Sequence, residues 1–389
     1  MAWKILMYAP IFPPAIGGPS TQCFSLCQTL RDRGEAPVVL TIGERFGYSS
    51  PDGYPVYRYP WRYTGTPIDR AIRWLVFPWY FKRILERERP DIVHCHSVSV
   101  LSVIAGWLSR RRGIPSVIKF AGDWVWETLS TRRLRAHDFE DLRQRSAVAR
   151  LMWRFERWGL SLFAYIWAPS EVRARNVERV LGHRRNVCII YNALDLPPGG
   201  FHVTREGGPF LVVSANRFVP HKRIPMIIRA FAALESPSAR LVLIGTGEAS
   251  EIAKAREAAL SLGVESQVTF TGRLEIDDVY DRFRRASVYV SASLEEGFPN
   301  VFVEAMHFGL PIVSTDVGGC HEIVREGETG YLCDPDDEAA LGARLKDLMR
   351  DLDLRNRMAR SAYEHSRQYE LATVIEEFMT LYGRAINRE

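Results

Sequence analysis

Ala286-Ser-Val-Tyr-Val-Ser-Ala-Ser-Leu-Glu-Glu296-Gly-Phe-Pro-Asn-Val-Phe-Val-Glu304 reads as one strand, one turn and one helix in succession. The run 286–291 is apolar and strand-like, Gly-Phe-Pro makes the turn, and an apolar helix follows. Pro299 suits the first helical position, because its fixed φ favours helix and its missing N–H is not needed there. The first helical turn presents free N–H groups and a partial positive charge. The loop formed by Gly297, Phe298, Pro299, Asn300 and Val301 can therefore receive a phosphate. Glu296 is expected at the mouth of that loop and Glu304 about two turns deeper. A phosphate cradle flanked by two carboxylates suits a nucleotide sugar, with phosphates at the helix end and hydroxyls at the carboxylates.

The same strand-to-helix alternation runs outward in both directions. In the first half, residues 5–9, 38–42, 92–95, 116–120, 166–168 and 187–191 read as buried parallel strands. Between the first two lies a helix with apolar positions Cys23, Leu26, Cys27 and Leu30, ended by Arg33-Gly34. The stretch from Leu194 through Pro197-Pro-Gly-Gly to Gly207-Gly208-Pro209 is rich in breakers and reads as a linker. Strands restart at 210–214, 241–245, 268–271, 288–291 and 312–314, each followed by a helical segment. The expected fold is α/β, with two doubly wound, Rossmann-like domains and a ligand cleft at the carboxyl ends of their strands. The expected division is 1–198 on the acceptor side, 209–370 for the nucleotide sugar, and a C-terminal helix, 371–389, with a crossing back to the first domain as one arrangement.

A chain of 389 residues is long enough for two such domains. Residues 1–199 hold 29 Lys and Arg against 17 Asp and Glu, a net of +12, whereas residues 200–389 hold 22 against 29, a net of −7. The first half is thus expected to meet something anionic. The six cysteines show no paired zinc-type spacing, which points to a reduced, cytoplasmic setting. No signal peptide is expected before the first strand, and the longest apolar-aromatic run, 74–81, falls far short of a membrane span. No nucleic-acid partner is expected.

Arg217 and Lys222 follow the first strand of the second half and could reach a diphosphate, Arg by a bidentate fork and Lys as a point charge. Two loop cations are also often merely solvated; their place beside the glutamate motif favours the phosphate reading. Gly17-Gly18 opens the first helix, either as a tight turn or for close backbone approach to a ligand. Gly318-Gly319 with Glu322 is another strand-to-helix turn. Asp277-Asp278 and Asp336-Asp337 begin helices, where capping and the helix dipole favour acids, so no metal is expected there. His94 and His96 straddle Cys95 at a strand end and fall on one face. A structural hydrogen-bonding pair is the plainer reading, and zinc lacks a third ligand nearby in sequence.

With these motifs the chain resembles the retaining GT-B glycosyltransferases called family four, or group 1. The resemblance spans nearly the full length. It rests on Gly17-Gly18, Asp91-Ile-Val-His-Cys-His, Arg217 and Lys222, Gly272 after a strand, the Glu296/Glu304 pair and Gly318-Gly319-Cys-His-Glu322. It implies that Glu304 holds the nucleotide ribose, Glu296 and the amides after it the donor sugar hydroxyls, and Arg217 and Lys222 the leaving diphosphate. It also implies transfer without a metal or other cofactor, with the departing phosphate helping to deprotonate the acceptor. The protein then mainly positions the reactants and stabilises the leaving group.

One departure concerns the strand 116–120. Many members follow it with His-Gly, the histidine beside the donor sugar, whereas this chain has Ala121-Gly122-Asp123 and then Glu127. Asp123, Glu127 and His96 are the candidates for contacts on the acceptor or sugar side. The expected function is movement of a hexose-type sugar from a nucleoside diphosphate donor to a glycan or lipid-linked acceptor, in cell-surface polysaccharide or glycolipid synthesis. A nucleotide-sugar epimerase and a nucleotide-sugar binder without transferase activity are the alternatives, separable by assaying transfer. An anionic membrane surface is a further expected partner, at the inner face of the plasma membrane. Residues 61–89 mix seven Lys and Arg with Trp61, Tyr63, Trp74, Trp79 and other aromatics. Arg143, Arg150, Arg154 and Arg157 fall on one side of an expected helix, with Val148, Leu151, Phe155 and Leu162 on another.

Overall fold

The computed structural model describes residues 2–15, 18–60, 67–122, 125, 146–201 and 208–388. The chain divides into two compact units, residues 1–195 together with 371–389, and residues 196–370. The division falls inside the breaker-rich stretch that begins at Leu194.

The first unit is built on eight strands: β1 (Lys4–Ala9), β2 (Ala36–Gly43), β3 (Gly47–Ser49), β4 (Val56–Pro60), β5 (Ile92–Cys95), β6 (Ser116–Lys119), β7 (Tyr165–Ala168) and β8 (Val187–Ile189). Their order is β3-β4-β2-β1-β5-β6-β7-β8, parallel except for the antiparallel edge strand β3. Alternation along β1 sends Leu6 and Tyr8 to one face and Ile5, Met7 and Ala9 to the other, so both faces need cover. The first face receives Phe77 and Phe81 of the helix Pro67–Glu88 and Leu101 and Leu108 of the helix Val100–Arg111. The second is covered by Cys23, Leu26 and Leu30 of the helix Gly18–Asp32 and by Val374, Phe378 and Tyr382 of the C-terminal helix Leu371–Asn387. Trp167 on β7 is fully buried in this second layer, and burying an indole contributes roughly 4 to 6 kcal/mol from area alone.

The second unit carries six parallel strands: β9 (Leu211–Ala215), β10 (Arg240–Ile244), β11 (Val268–Gly272), β12 (Val288–Ser291), β13 (Ile312–Thr315) and β14 (Gly330–Cys333). Their order is β11-β10-β9-β12-β13-β14. The chain winds outward one way from β9 and the other way from β12, so strand order reverses between these two. That reversal opens a crevice at their carboxyl ends, the usual ligand position in an open α/β sheet.

Three strands went unread in the sequence: β3, β4 and β14. They are short or rich in Tyr and Gly and lack the apolar runs of the others. The acidic pairs behave as helix starts. Asp277 and Asp278 lie in the first turn of the helix Ile276–Arg285, and Asp337 caps the helix Glu338–Arg350 by accepting from the Ala340 N–H at 2.8 Å. All six cysteines are free thiols.

Candidate functional site

The loops after β9 and β12 meet at the reversal of strand order. Lys222 donates to Oε1 of Glu296, and Ser293 Oγ donates to the same oxygen at 2.7 Å. Oε2 of Glu296 makes no hydrogen bond among the described residues. The two side chains of the ion pair are only 14% and 12% exposed, so they attract each other across a medium less screening than water. The Leu294 N–H donates to the His221 carbonyl at 2.8 Å, binding one loop to the other through backbone. Arg217 is exposed and its side chain makes no ion pair or hydrogen bond among the described residues, so its guanidinium is available to an incoming anion. Burial lowers the pKa of His221, assisted by the charge of Lys222.

Several residues that carry no motif hold this arrangement. Tyr289 on β12 donates to the Ala215 carbonyl at 3.0 Å, fastening the ends of β12 and β9 together. Arg223 donates to the Ala292 carbonyl at 2.7 Å and to the Pro335 carbonyl at 2.8 Å, and Thr315 Oγ1 donates to the Ser293 carbonyl at 2.6 Å. Four glycines allow backbones to touch. A Cβ on Gly318 would lie 1.7 Å from the Glu296 carbonyl oxygen, and one on Gly319 would lie 2.4 Å from that of Gly297. Likewise a Cβ on Gly245 or Gly247 would strike the carbonyl oxygens of Asn216 and Phe218, on either side of Arg217. The Gly318-Gly319 turn is therefore the floor under the Glu296 loop as well as a helix start.

The helix begins one residue later than the sequence suggested. It spans Asn300–His307, with Pro299 as the residue just before it at φ −75° and ψ 90°. Glu304 is accordingly the fifth residue of the helix, little more than one turn in, because residues 296–299 are turn and not helix. The residue as a whole is half-buried, and its carboxylate makes no hydrogen bond or ion pair among the described residues. Burial pushes its pKa up to about 7. Gly297 and Phe298 lie in the turn and Val301 in the first turn of the helix, with Phe298 edge-on to Tyr369 at 5.6 Å.

Of the candidates in the first unit, Gly17, Asp123 and Glu127 lie outside the described residues. Gly18 is the first residue of its helix. Ala121 follows β6 and is exposed. His96 is 4% exposed and stacks on His94 at 4.2 Å; no side-chain hydrogen bond satisfies its Nε2. His94 Nδ1 and the Tyr382 hydroxyl are hydrogen-bonded at 2.7 Å, which pins the C-terminal helix to β5. Desolvation holds the pKa of His94 down to about 3 and that of His96 well below its ordinary value, so both rings are neutral near pH 7. Sequence reasoning missed Lys119, buried at the end of β6. It donates to Gln22 and, at 2.8 Å, to Asn192 Oδ1, and sits 4.3 Å over the Trp167 ring. Burial brings its pKa down to about 7.

Among the described residues, no group of three or more His, Cys, Asp or Glu side chains is placed to hold a metal ion. What the second unit offers instead is a carboxylate, an ammonium and a guanidinium gathered at one crevice. That set can bind a diphosphate and a polyhydroxyl group side by side.

Comparisons with known proteins agree with this chemistry. Residues 17–193 match the glycosyl transferase 4-like domain and residues 201–365 match glycosyl transferases group 1. The chain is 23% identical to N-acetyl-alpha-D-glucosaminyl L-malate synthase of Bacillus anthracis, over 95% of this chain and 94% of that one. It is 32% identical to D-inositol 3-phosphate glycosyltransferase of Corynebacterium efficiens, over 46% of this chain and 44% of that protein. Its fold is similar to sucrose-phosphate synthase of Thermosynechococcus elongatus, with 18% identity, complete coverage of both chains and a TM-score of 0.77. It is also similar to Anabaena HepE in complex with UDP and glucose, with 19% identity, 97% and 98% coverage and a TM-score of 0.74. The two family matches together take in both units, and the chain therefore belongs to the group 1 glycosyl transferases and is a glycosyltransferase of the GT-B fold.

Proposed function

We propose that the chain is a retaining hexosyltransferase that uses a nucleoside diphosphate sugar and passes the hexose to a glycan or lipid-linked acceptor. The observation that carries this reading is the gathering of Arg217, Lys222 and Glu296 at the reversal between β9 and β12. In it, Arg217 and Lys222 stabilise the diphosphate as it departs, Glu296 orients sugar hydroxyls, and Glu304 accepts from the ribose. The first turn of the helix Asn300–His307 supplies N–H groups to a phosphate. The departing phosphate helps take the acceptor's proton. Retention follows from the family resemblance, and the complex of HepE with UDP and glucose makes UDP-glucose the first donor to assay. A panel of uridine, guanosine and adenosine diphosphate hexoses, with the anomeric configuration of donor and product compared by NMR, tests the proposal. Inversion, interconversion of free donors, or no transfer from any donor would overturn it.

The reaction is proposed to need no metal, since oriented N–H groups and two cations can neutralise the diphosphate. Excess chelator is expected to leave the rate within about twofold of its untreated value. Restoration of a chelator-inactivated enzyme by magnesium or manganese would refute this.

The acceptor is proposed to be met at an anionic membrane surface. Of the residues expected there, Trp61, Tyr63 and Arg143 lie outside the described residues. On the helix Ala147–Leu160 the buried face is Ala149, Glu156, Gly159 and Leu160. Val148 and Leu151 are exposed, Leu151 at 69%, alongside exposed Arg150, Arg154 and Arg157, in place of the separate apolar face expected from sequence. Leu75 and Trp79 on the helix Pro67–Glu88 are also exposed. Apolar side chains among cations fit an interface, each nearby cation contributing about 1 kcal/mol with anionic lipid. No helix among the described residues is long and apolar enough to cross a membrane. Vesicle co-sedimentation is expected to require anionic lipid, to fall with salt, and to weaken when Arg150, Arg154 and Arg157 become Glu. Equal recovery with neutral vesicles, or no recovery, would dismiss the surface.

A further inference from the structure

A cavity of about 620 Å³ lies in the first unit at the amino ends of β6, β7 and β8, the opposite end of the sheet from His96 and Ala121. Four arginines line it, Arg110, Arg185, Arg384 and Arg388, and no described lining residue is acidic. They arrive from separate parts of the chain: the end of the helix Val100–Arg111, the turn before β8, and the last turns of the C-terminal helix. None forms an ion pair with a carboxylate among the described residues.

Helix ends account for only part of this charge. Arg110 donates to the Ser161 carbonyl at 3.3 Å and Arg388 to the Gly113 carbonyl at 3.4 Å, where the helices Ala147–Leu160 and Val100–Arg111 have just ended. The C-terminal helix ends here too. Each helix carboxyl end carries about half a negative charge, so three such ends offset less than two of the four guanidiniums. The remaining surplus is roughly +2.5 among the described residues, and it faces an open cavity. Arg185 makes no hydrogen bond, and Arg384 only rests over the Tyr165 ring at 5.0 Å, so two planar forks are unengaged. Asn186 gives its Nδ2 to the Phe163 carbonyl at 3.4 Å, while its Oδ1 is buried without a partner.

We propose that this cavity is a second anion site, taking a phosphate ester larger than the bare ion. Arginine forks match phosphate oxygens bidentately, and a surplus of more than +2 suits a phosphate monoester dianion. The volume exceeds what a bare phosphate fills and falls in the ordinary range of small-molecule pockets. The inference stands independently of the donor chemistry, because no residue assigned to the diphosphate contributes to it. A soluble monoester offers this dianion, and a phospholipid headgroup offers the same phosphate oxygens as a monoanionic diester.

The test uses the full chain with Arg217→Ala and Lys222→Ala, so that the donor-side cations cannot contribute. Calorimetric titration with glycerol 3-phosphate is expected to show one binding event, weakened at least tenfold by adding Arg185→Gln and Arg384→Gln. Glycerol itself should not bind. The titration is then repeated with vesicles as competitors. Suppression by vesicles containing phosphatidylglycerol, but not by phosphatidylcholine alone, assigns the site to a lipid headgroup; undiminished binding assigns it to a soluble ester. Absence of binding overturns the proposal. So does binding unchanged by Arg185→Gln with Arg384→Gln, or by the separate exposed-site variant Arg110→Gln, in proteins that melt at the parent temperature.

Discussion

Lys222→Ala is expected to lower kcat by between about tenfold and a hundredfold, with a smaller effect on donor binding. A charge-assisted hydrogen bond contributes about 1.5 to 3 kcal/mol, and each 1.36 kcal/mol removed from transition-state stabilisation costs a factor of ten. The loss falls on kcat because the diphosphate gains charge only as the glycosidic bond breaks. Lys222 also neutralises Glu296, so its removal leaves a carboxylate about one-eighth exposed with Ser293 as its remaining partner. A lowered melting temperature should accompany the lost turnover, since breaking one side of such a pair leaves an unpaired charge. Arg217→Ala separates the two effects. Arg217 is exposed and unpaired, so its truncation should leave the melting temperature unchanged while lowering kcat by at least about tenfold. Steady-state kinetics with saturating donor, beside thermal melts of both variants, decide the matter. Full turnover in both would remove these residues from the diphosphate.

What the sequence disclosed, and what it withheld, follows from the range of each interaction. Strands buried on both faces announce themselves as apolar runs, and for that reason β1, β5, β9, β12 and β13 were readable. The strand β4, Val-Tyr-Arg-Tyr-Pro, mixes polar with aromatic residues and gains its place by pairing with β2 on one side and β3 on the other. At the site, the glutamate motif, Arg217 and Lys222 were legible as candidates, because local spacing and charge mark them out. The struts were not: Arg223 reaches Pro335 across 112 positions, and Tyr289 reaches Ala215 across 74. Gly318-Gly319 was visible as a turn, but its close approach to the Glu296 loop exists only in the fold. Lys119 was hidden for a related reason. A lysine at a strand end is ordinarily solvated, and only the convergence of Gln22, Asn192 and Trp167 shows it to be buried.

Glu304 yields the second large effect, through affinity and its dependence on pH. Glu304→Ala is expected to weaken binding of a nucleoside diphosphate by about tenfold to a hundredfold, from the loss of a charged acceptor worth about 1.5 to 3 kcal/mol. Glu296→Ala should instead reduce transfer more than it reduces binding of the free nucleotide, because its proposed partner is the sugar. Burial raises the Glu304 pKa to about 7, so in the unliganded protein the group is largely protonated at pH 6 and largely ionised at pH 8. The ionised form is the stronger acceptor, and a bound ribose hydroxyl stabilises it. Binding should therefore tighten by up to about tenfold from pH 6 to pH 8, following the ionised fraction. The stability of the unliganded protein moves the opposite way. A carboxyl whose pKa is raised on folding favours the native state below the unfolded value, and that contribution is lost as pH rises through about 7. Glu304→Gln keeps the size, cannot ionise, and should remove both dependences at once. Phosphate titration is common to the parent and the variant, so the difference between their calorimetric profiles isolates Glu304. Parallel profiles would show that Glu304 does not ionise against the nucleotide, and equal losses of nucleotide affinity in Glu296→Ala and Glu304→Ala would show that the two carboxylates do not divide sugar from ribose.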